Sequence, residues 1–126
     1  MSKIAVTFPY LPKTLPVFSQ AIVHGDTIYC SGLVGFDAAT GILAESFTDQ
    51  TVNCLRNLEH VLKAAGSSME NALKVNIYVK DVSRFAELNE VYINYFGDVK
   101  PARTCVEVTN LPVNAAQIEM ECVAYK

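Results

Sequence analysis

The sequence predicts an α+β domain: a two-layer sandwich in which two helices cover one face of a mixed β-sheet, in the order ββαβαββ. Three observations predict it. Short runs near both ends and in the middle of the chain alternate apolar and polar residues with the period of two expected of strands. Two longer stretches repeat apolar residues at spacings of three and four, the mark of a helix buried along one side. The chain has 126 residues, 51% hydrophobic and 18% charged, enough for one core and too apolar for disorder. Residues 1–126 are therefore read as a single domain.

Residues 1–16 carry Pro9, Pro12 and Pro16, three positions that cannot donate to a ladder, and read as an extended arm. The runs 18–23 and 27–33 are β-prone, and His24-Gly25-Asp26 between them has the backbone freedom of a tight hairpin. After the turn residues 36–41, Thr48 is placed to cap a helix running to about Ala65. Its stripe is Val52, Leu55, Leu58, Leu62 and Ala65, and Gly66 stands where a left-handed cap belongs. Leu73, Val75, Ile77 and Val79 then alternate with Lys74, Asn76, Tyr78 and Lys80 as a strand. Ser83 is placed to cap a second helix with the stripe Phe85, Leu88, Val91, Tyr92, Tyr95 and Phe96, ended by Gly97. Residues 102–108 and 117–125 form the last two strands.

Composition excludes several function classes. Ten Lys+Arg against thirteen Asp+Glu leave a net charge of −3, which supplies no general attraction to nucleic acid or anionic lipid. The cysteines at 30, 54, 105 and 122 form no CxxC or Cys/His cluster, so no metal site is expected, and free thiols in a reducing compartment are. The first residues have no signal-peptide pattern, and no apolar run reaches the ~18 residues of a membrane span. An intracellular protein is expected, in the cytoplasm or the mitochondrial matrix.

Alternation also assigns faces. Ile118, Met120, Cys122 and Ala124 point to the core, leaving Glu119 and Glu121 on the other side of the sheet. In the preceding strand, Ala102, Thr104, Val106 and Val108 are assigned to the helices, leaving Arg103, Cys105 and Glu107 opposite. If these two strands pair as a hairpin, Arg103 comes within cross-strand reach of positions 119 to 121. Tyr29, Ser31, Asn76 and Tyr78 join this face. Such a mixture of aromatic, amide, hydroxyl, thiol and charged groups is expected of a surface covered by another subunit.

The run Lys100-Pro101-Ala102-Arg103-Thr104-Cys105-Val106-Glu107-Val108, followed by Leu111-Pro112 and Ile118-Glu119-Met120-Glu121, resembles the C-terminal signature of the Rid (YjgF) family, the reactive intermediate deaminases. Phe18-Ser19-Gln20-Ala21, Tyr29-Cys30-Ser31-Gly32, the run 74–81 and the run 85–92 extend the likeness over nearly the whole chain. The resemblance implies a chorismate-mutase-like fold and a homotrimer with pockets between its subunits. For the RidA branch it implies a 2-iminobutanoate/2-iminopropanoate deaminase. Such an enzyme hydrolyses 2-aminoacrylate and related enamine or imine acids to 2-keto acids and ammonia without a cofactor. Two positions depart from the pattern: Phe18 stands where the family has a pocket tyrosine, and Leu33 where a glutamine often follows the Ser-Gly pair.

A small imino acid needs an anion clamp, and the planar fork of Arg103 fits a carboxylate bidentately; an ordinary salt bridge is the alternative reading. Glu119 is placed to deprotonate the attacking water and return the proton, provided burial raises its pKa; otherwise it is a solvated strand carboxylate. The family resemblance assigns Cys105 to pocket shape and substrate contact, since imine hydrolysis needs no covalent intermediate and neither histidine is linked to it. Ser31 and Gly32 are candidate substrate contacts. Asn89 is a candidate reaching across a subunit boundary, and Phe18 is a candidate pocket wall. The competing functions are an endoribonuclease or translation inhibitor, which the absence of a basic patch and of a catalytic His pair opposes, and a non-catalytic ligand-binding trimer.

Overall fold

The computed structural model describes residues 1–11 and 16–126. The strands are β1 (Ile4–Val6), β2 (Ala21–His24), β3 (Thr27–Cys30), β4 (Leu33–Val34), β5 (Ala72–Val79), β6 (Ala102–Glu107) and β7 (Ile118–Tyr125). The helices are α1 (Phe47–Ala64) and α2 (Phe85–Tyr92), with short 3-10 turns at Met69–Asn71 and Val82–Arg84. Among the described residues the strands form one mixed sheet in the order β1-β2-β3-β7-β5-β6, with β4 also pairing to β7. Leu55, Leu58 and Leu62 of α1 and Leu88 and Tyr92 of α2 share one core with Ile28, Val75, Ile77, Ile118 and Met120 of the sheet. Two helices on one sheet face give the predicted α+β sandwich.

The β2–β3 hairpin forms as expected, with His24 opposite Thr27 and Gly25 at a φ of 62° in the two-residue turn. The N-terminal segment is more than an arm: Ile4, Ala5 and Val6 pair antiparallel with β2 at the sheet edge. Pro12 lies outside the described residues. Helix α1 is capped two residues earlier than predicted. The Ser46 side chain accepts from the Asp49 N–H, whereas the Thr48 hydroxyl donates to Glu87. Gly66, with a φ of 85°, provides the left-handed residue after the helix. Helix α2 is shorter than its stripe implied. Asp81, not Ser83, accepts at its entry, and the Lys100 ammonium gathers the carbonyls of Ile93, Phe96 and Gly97 at its exit. A register shift between Ala72 and Lys74 turns Leu73 outward, and it is exposed rather than core.

The consequential difference concerns β6. It pairs parallel with β5, Val75 opposite Arg103 and Ile77 opposite Cys105, and does not form a hairpin with β7. Facing residues of paired strands share a side, so Arg103 and Cys105 lie on the helix side with buried Val75 and Ile77. Thr104 and Val106 lie on the open side with Asn76 and Tyr78. Strand β7 inserts between β3 and β5 and sets Glu119 opposite Tyr78 and Glu121 opposite Asn76, on the open side as predicted. The expected juxtaposition of Arg103 and Glu119 within one chain is therefore wrong: the sheet separates them.

The cap assignment can be checked by urea denaturation. Ser46→Ala is expected to lower stability by about 1 kcal/mol through loss of the bond to the Asp49 N–H. Thr48→Ala, whose hydroxyl reaches only an exposed carboxylate, is expected to cost less than about 0.5 kcal/mol.

Candidate functional site

Two groups of side chains stand out, one on each side of the sheet. The first is built where α2 crosses from β5 to β6. Phe85, Asn89 and Tyr92 are spaced i, i+4, i+7 and present one stripe to the edge strand. The Arg103 guanidinium lies over the rings of Phe85, 5.2 Å from its centroid, and Tyr92, 4.7 Å away. Its Nη2 donates to Asn89 Oδ1 at 2.7 Å. No carboxylate pairs with it among the described residues, so the ordinary salt-bridge reading fails within the chain. Asn89 thus reaches Arg103 of its own chain. Cys105 is half-buried against the core, and burial pushes its thiol up despite the opposing charge of Arg103, a poor setting for a nucleophile. The Tyr92 phenol is buried without a hydrogen-bond partner among the described residues and is pushed up to about 12 by that burial.

Phe85 was read from sequence as core, but it is 44% exposed and covers one face of the guanidinium. The available signal was an amide, Asn89, inside an otherwise apolar helical stripe.

The second group lies in a cavity of ≈ 570 Å³ lined by Phe18, Gln20, Ser31, Gly32, Glu119 and Glu121 together with residues of the β4 and Pro112 segments. Its centre is Glu119, whose carboxylate rests on the backbone of Gly32. A Cβ added at Gly32 would stand 2.5 Å from Glu119 Oε2, so only glycine leaves the carboxylate where it is. Burial, and secondarily the charge of Glu121, pushes the Glu119 carboxyl up from its ordinary value. Neither a hydrogen bond nor an ion pair reaches it among the described residues. Glu121, by contrast, accepts from the Tyr78 phenol at 2.5 Å and from Asn76 Nδ2 at 3.3 Å. That bond to Glu121 is the main reason the Tyr78 phenol is pushed up to about 12. The Ser31 hydroxyl donates to the Ser19 carbonyl at 2.6 Å and keeps its lone pairs for a guest. Phe18 is about half exposed on the cavity wall.

Of the residues predicted to form a site, Phe18, Ser31, Gly32 and Glu119 come together in this cavity, while Arg103, Asn89 and Cys105 gather at the β6 edge on the other side. Among the described residues no group of His, Cys, Asp and Glu has the arrangement of a metal site. Among the described residues no helix is long and apolar enough to cross a membrane.

The family model described as Endoribonuclease L-PSP matches residues 10–126. A RutC family protein of Pyrococcus horikoshii is 44% identical over 116 residues, covering 91% of each chain. The chain belongs to the Rid family. Another member, Reactive Intermediate Deaminase A of Arabidopsis thaliana, a chloroplastic protein, is 37% identical over 98% of this chain and 66% of its own length. The crystal structure of RidA from an Antarctic Psychrobacter superposes with a TM-score of 0.92 at 34% identity, covering 98% of this chain and 99% of that one. The Rid family thus includes a named deaminase, although its family model bears the name of a ribonuclease.

The Glu119 environment predicts a stability effect with a definite sign. Its folded pKa is raised, so the native state holds the proton more tightly than the unfolded chain, and stability falls as pH rises from the ordinary carboxylate range through the raised value. Glu119→Gln is expected to remove that loss. The variant should melt above the unchanged protein at neutral pH, with the difference shrinking as pH falls below the ordinary carboxylate range. Thermal denaturation followed across pH checks it.

Proposed function

We propose that the protein is a cofactor-independent deaminase that hydrolyses small 2-imino acids and their enamine tautomers, such as 2-iminopropanoate, 2-iminobutanoate and 2-aminoacrylate, to 2-keto acids and ammonia. The site is completed between the copies of a homotrimer. The observation that carries this reading is a pair of unfinished half-sites. Among the described residues, Arg103 is braced by Phe85, Tyr92 and Asn89 but has no anion, and Glu119 is half-buried with a raised pKa but no partner. One chain's sheet keeps them apart, whereas the β6 edge of one copy laid over the cavity of the next brings them together. The open face, where Tyr29, Val106 and Tyr125 are exposed beside Asn76, Tyr78 and Glu121, is the surface on which copies would meet.

The chemistry follows from these groups. The substrate carboxylate docks on the guanidinium fork, which has one donor committed to Asn89 and the rest free among the described residues. Water held by Glu119 attacks C2 of the C=N bond as the carboxylate takes its proton. The C–O bond forms and the π pair moves to nitrogen. Return of the proton to nitrogen gives the carbinolamine; its hydroxyl proton then passes to the amine through Glu119, and the oxygen forms C=O as the C–N bond breaks and ammonia leaves, so one imine and one water yield one keto acid and one ammonia. A raised Glu119 pKa suits a group that must both take and return this proton. Cys105 and Ser31 shape the pocket rather than react.

The test is pyruvate release from 2-aminoacrylate generated in situ by a lyase, measured against the spontaneous rate. Acceleration is expected. Arg103→Ala should lower kcat/KM at least ~100-fold, since it removes two charge-assisted hydrogen bonds of roughly 1.5 kcal/mol or more each. The acid limb of the kcat/KM profile should fall above the ordinary carboxylate range and vanish in Glu119→Gln. An unaffected Arg103→Ala variant, or a monomer by light scattering, would defeat the shared site. RNA cleavage that follows the purified protein and is lost in the same variant would favour the ribonuclease reading. Carboxylate binding without turnover would favour a binding trimer.

A further inference from the structure

Two of the four cysteines face one another. In the antiparallel pairing of β3 with β7, Thr27 lies opposite Tyr125 and Tyr29 opposite Val123, and the same register carried one residue further sets Cys30 opposite Cys122. Both side chains point to the helix side and belong to the main core, Cys30 being 6% and Cys122 3% exposed. The Cys122 thiol is hydrogen-bonded to Cys30, and that bond together with burial holds it above its ordinary value. The other two thiols are placed differently. Cys54 donates to the carbonyls of Leu33 and Ile118, and Cys105 on β6 is separated from the pair by β5.

The spacing suits a covalent bond. Facing residues of an antiparallel pair have Cα atoms roughly 4.5–5.5 Å apart, inside the roughly 4.4–6.8 Å that a disulfide spans. The backbone beside the pair also has room to adjust. Leu33 of β4 lies opposite Met120, so Ser31 and Gly32 together stand against Glu121 alone, a two-against-one irregularity directly after Cys30. The ladder is broken there, and the small movement that brings two sulfurs from contact into a bond is taken up at that break.

We infer that Cys30 and Cys122 are a modification site, which a small hydroperoxide converts into a reversible disulfide between β3 and β7. Because Cys122 is held protonated, Cys30 is the sulfur that meets the oxidant and Cys122 the one that resolves it. The Cys30 sulfur attacks the peroxide, the S–O bond forms, the O–O bond breaks, and the departing hydroxide takes the Cys30 proton to become water. The Cys122 sulfur then displaces the sulfenic hydroxyl, which leaves with the Cys122 proton as a second water. Two thiols and one hydrogen peroxide thus give one disulfide and two waters. Ser31 follows Cys30 and Glu121 precedes Cys122, so the bond staples the Gly32 rest of Glu119 to the strand that carries this carboxylate. A cross-link closing so long a stretch of chain restricts the unfolded state and raises stability.

The experiment exposes the reduced native protein to hydrogen peroxide, quenches with catalase, and alkylates the remaining thiols with N-ethylmaleimide in denaturant. Thiols open to alkylation should fall from four to two. A non-reduced digest should hold one cross-linked pair of peptides, carrying Cys30 and Cys122, and the melting temperature should rise. Dithiothreitol should reverse all three changes. Cys122→Ala should abolish both the cross-link and the gain in melting temperature; the digest of the unchanged protein decides the matter even if this variant does not fold. Four thiols still open to alkylation, a cross-link between any other pair or between chains, or oxygen added at Cys105 while Cys30 and Cys122 stay reduced, overturns the inference. None of these readouts involves turnover, so their failure leaves the deaminase reading standing, and the failure of that reading leaves the disulfide untouched.

Discussion

The parallel pairing of β5 with β6 is the constraint on which the rest of the site depends. Parallel neighbours cannot be joined by a tight turn, so the chain crosses over between them, and α2 is that crossover. A helix in this position lies above the two strands it connects. Every second residue of β6 therefore points at α2, and Arg103 is the first of these to meet it. The stacking of the guanidinium on Phe85 and Tyr92 and its bond to Asn89 follow from topology. Because β6 is also the last strand of the sheet, the braced cation sits at an edge, within reach of a neighbouring molecule.

The same topology explains what the sequence made legible and what it did not. Local chemistry was readable: the Gly25 turn, the α1 stripe, Gly66 at its end and the alternation of β7 all reflect constraints that act within a few residues. Pairing partners were not. The apolar members of segment 102–108 favour the phase that the structure overturns, because at an edge strand both faces are partly wet, and only the register with Val75 and Ile77 decides which residues turn inward. A clue was available. The connection from β6 to β7 runs ten residues, long for a hairpin, whereas strand, helix, strand is the pattern of a parallel crossover. Leu73 was misassigned for a related reason, since a bulge resets alternation and leaves no compositional trace.

Gly32 and Glu119 show a different kind of constraint. Gly32 has no unusual φ to demand glycine; what demands it is the carboxylate lying against its backbone. The pair came from opposite ends of the chain and were grouped only through a family resemblance, because no spacing rule links residue 32 to residue 119. Packing a carboxylate there, half-buried and beside Glu121, costs stability, and the fold tolerates it because Val34, Met120 and Ile118 around it are well packed. A half-buried carboxylate with a raised pKa suits the proposed role of proton acceptor better than that of a merely solvated strand glutamate.

The two half-sites also divide labour in a way that a single-chain site would find hard to match. Arg103 beside an unpaired Glu119 on the same sheet face would close into an ion pair, lowering the glutamate pKa and occupying the anion clamp. Placing them on opposite sides of the sheet keeps the cation free for a carboxylate and keeps the glutamate pKa raised. In the proposed homotrimer they approach one another only across a seam, with space between them for a guest. The separation that contradicts the simple hairpin geometry is thus what preserves the chemical character of both groups.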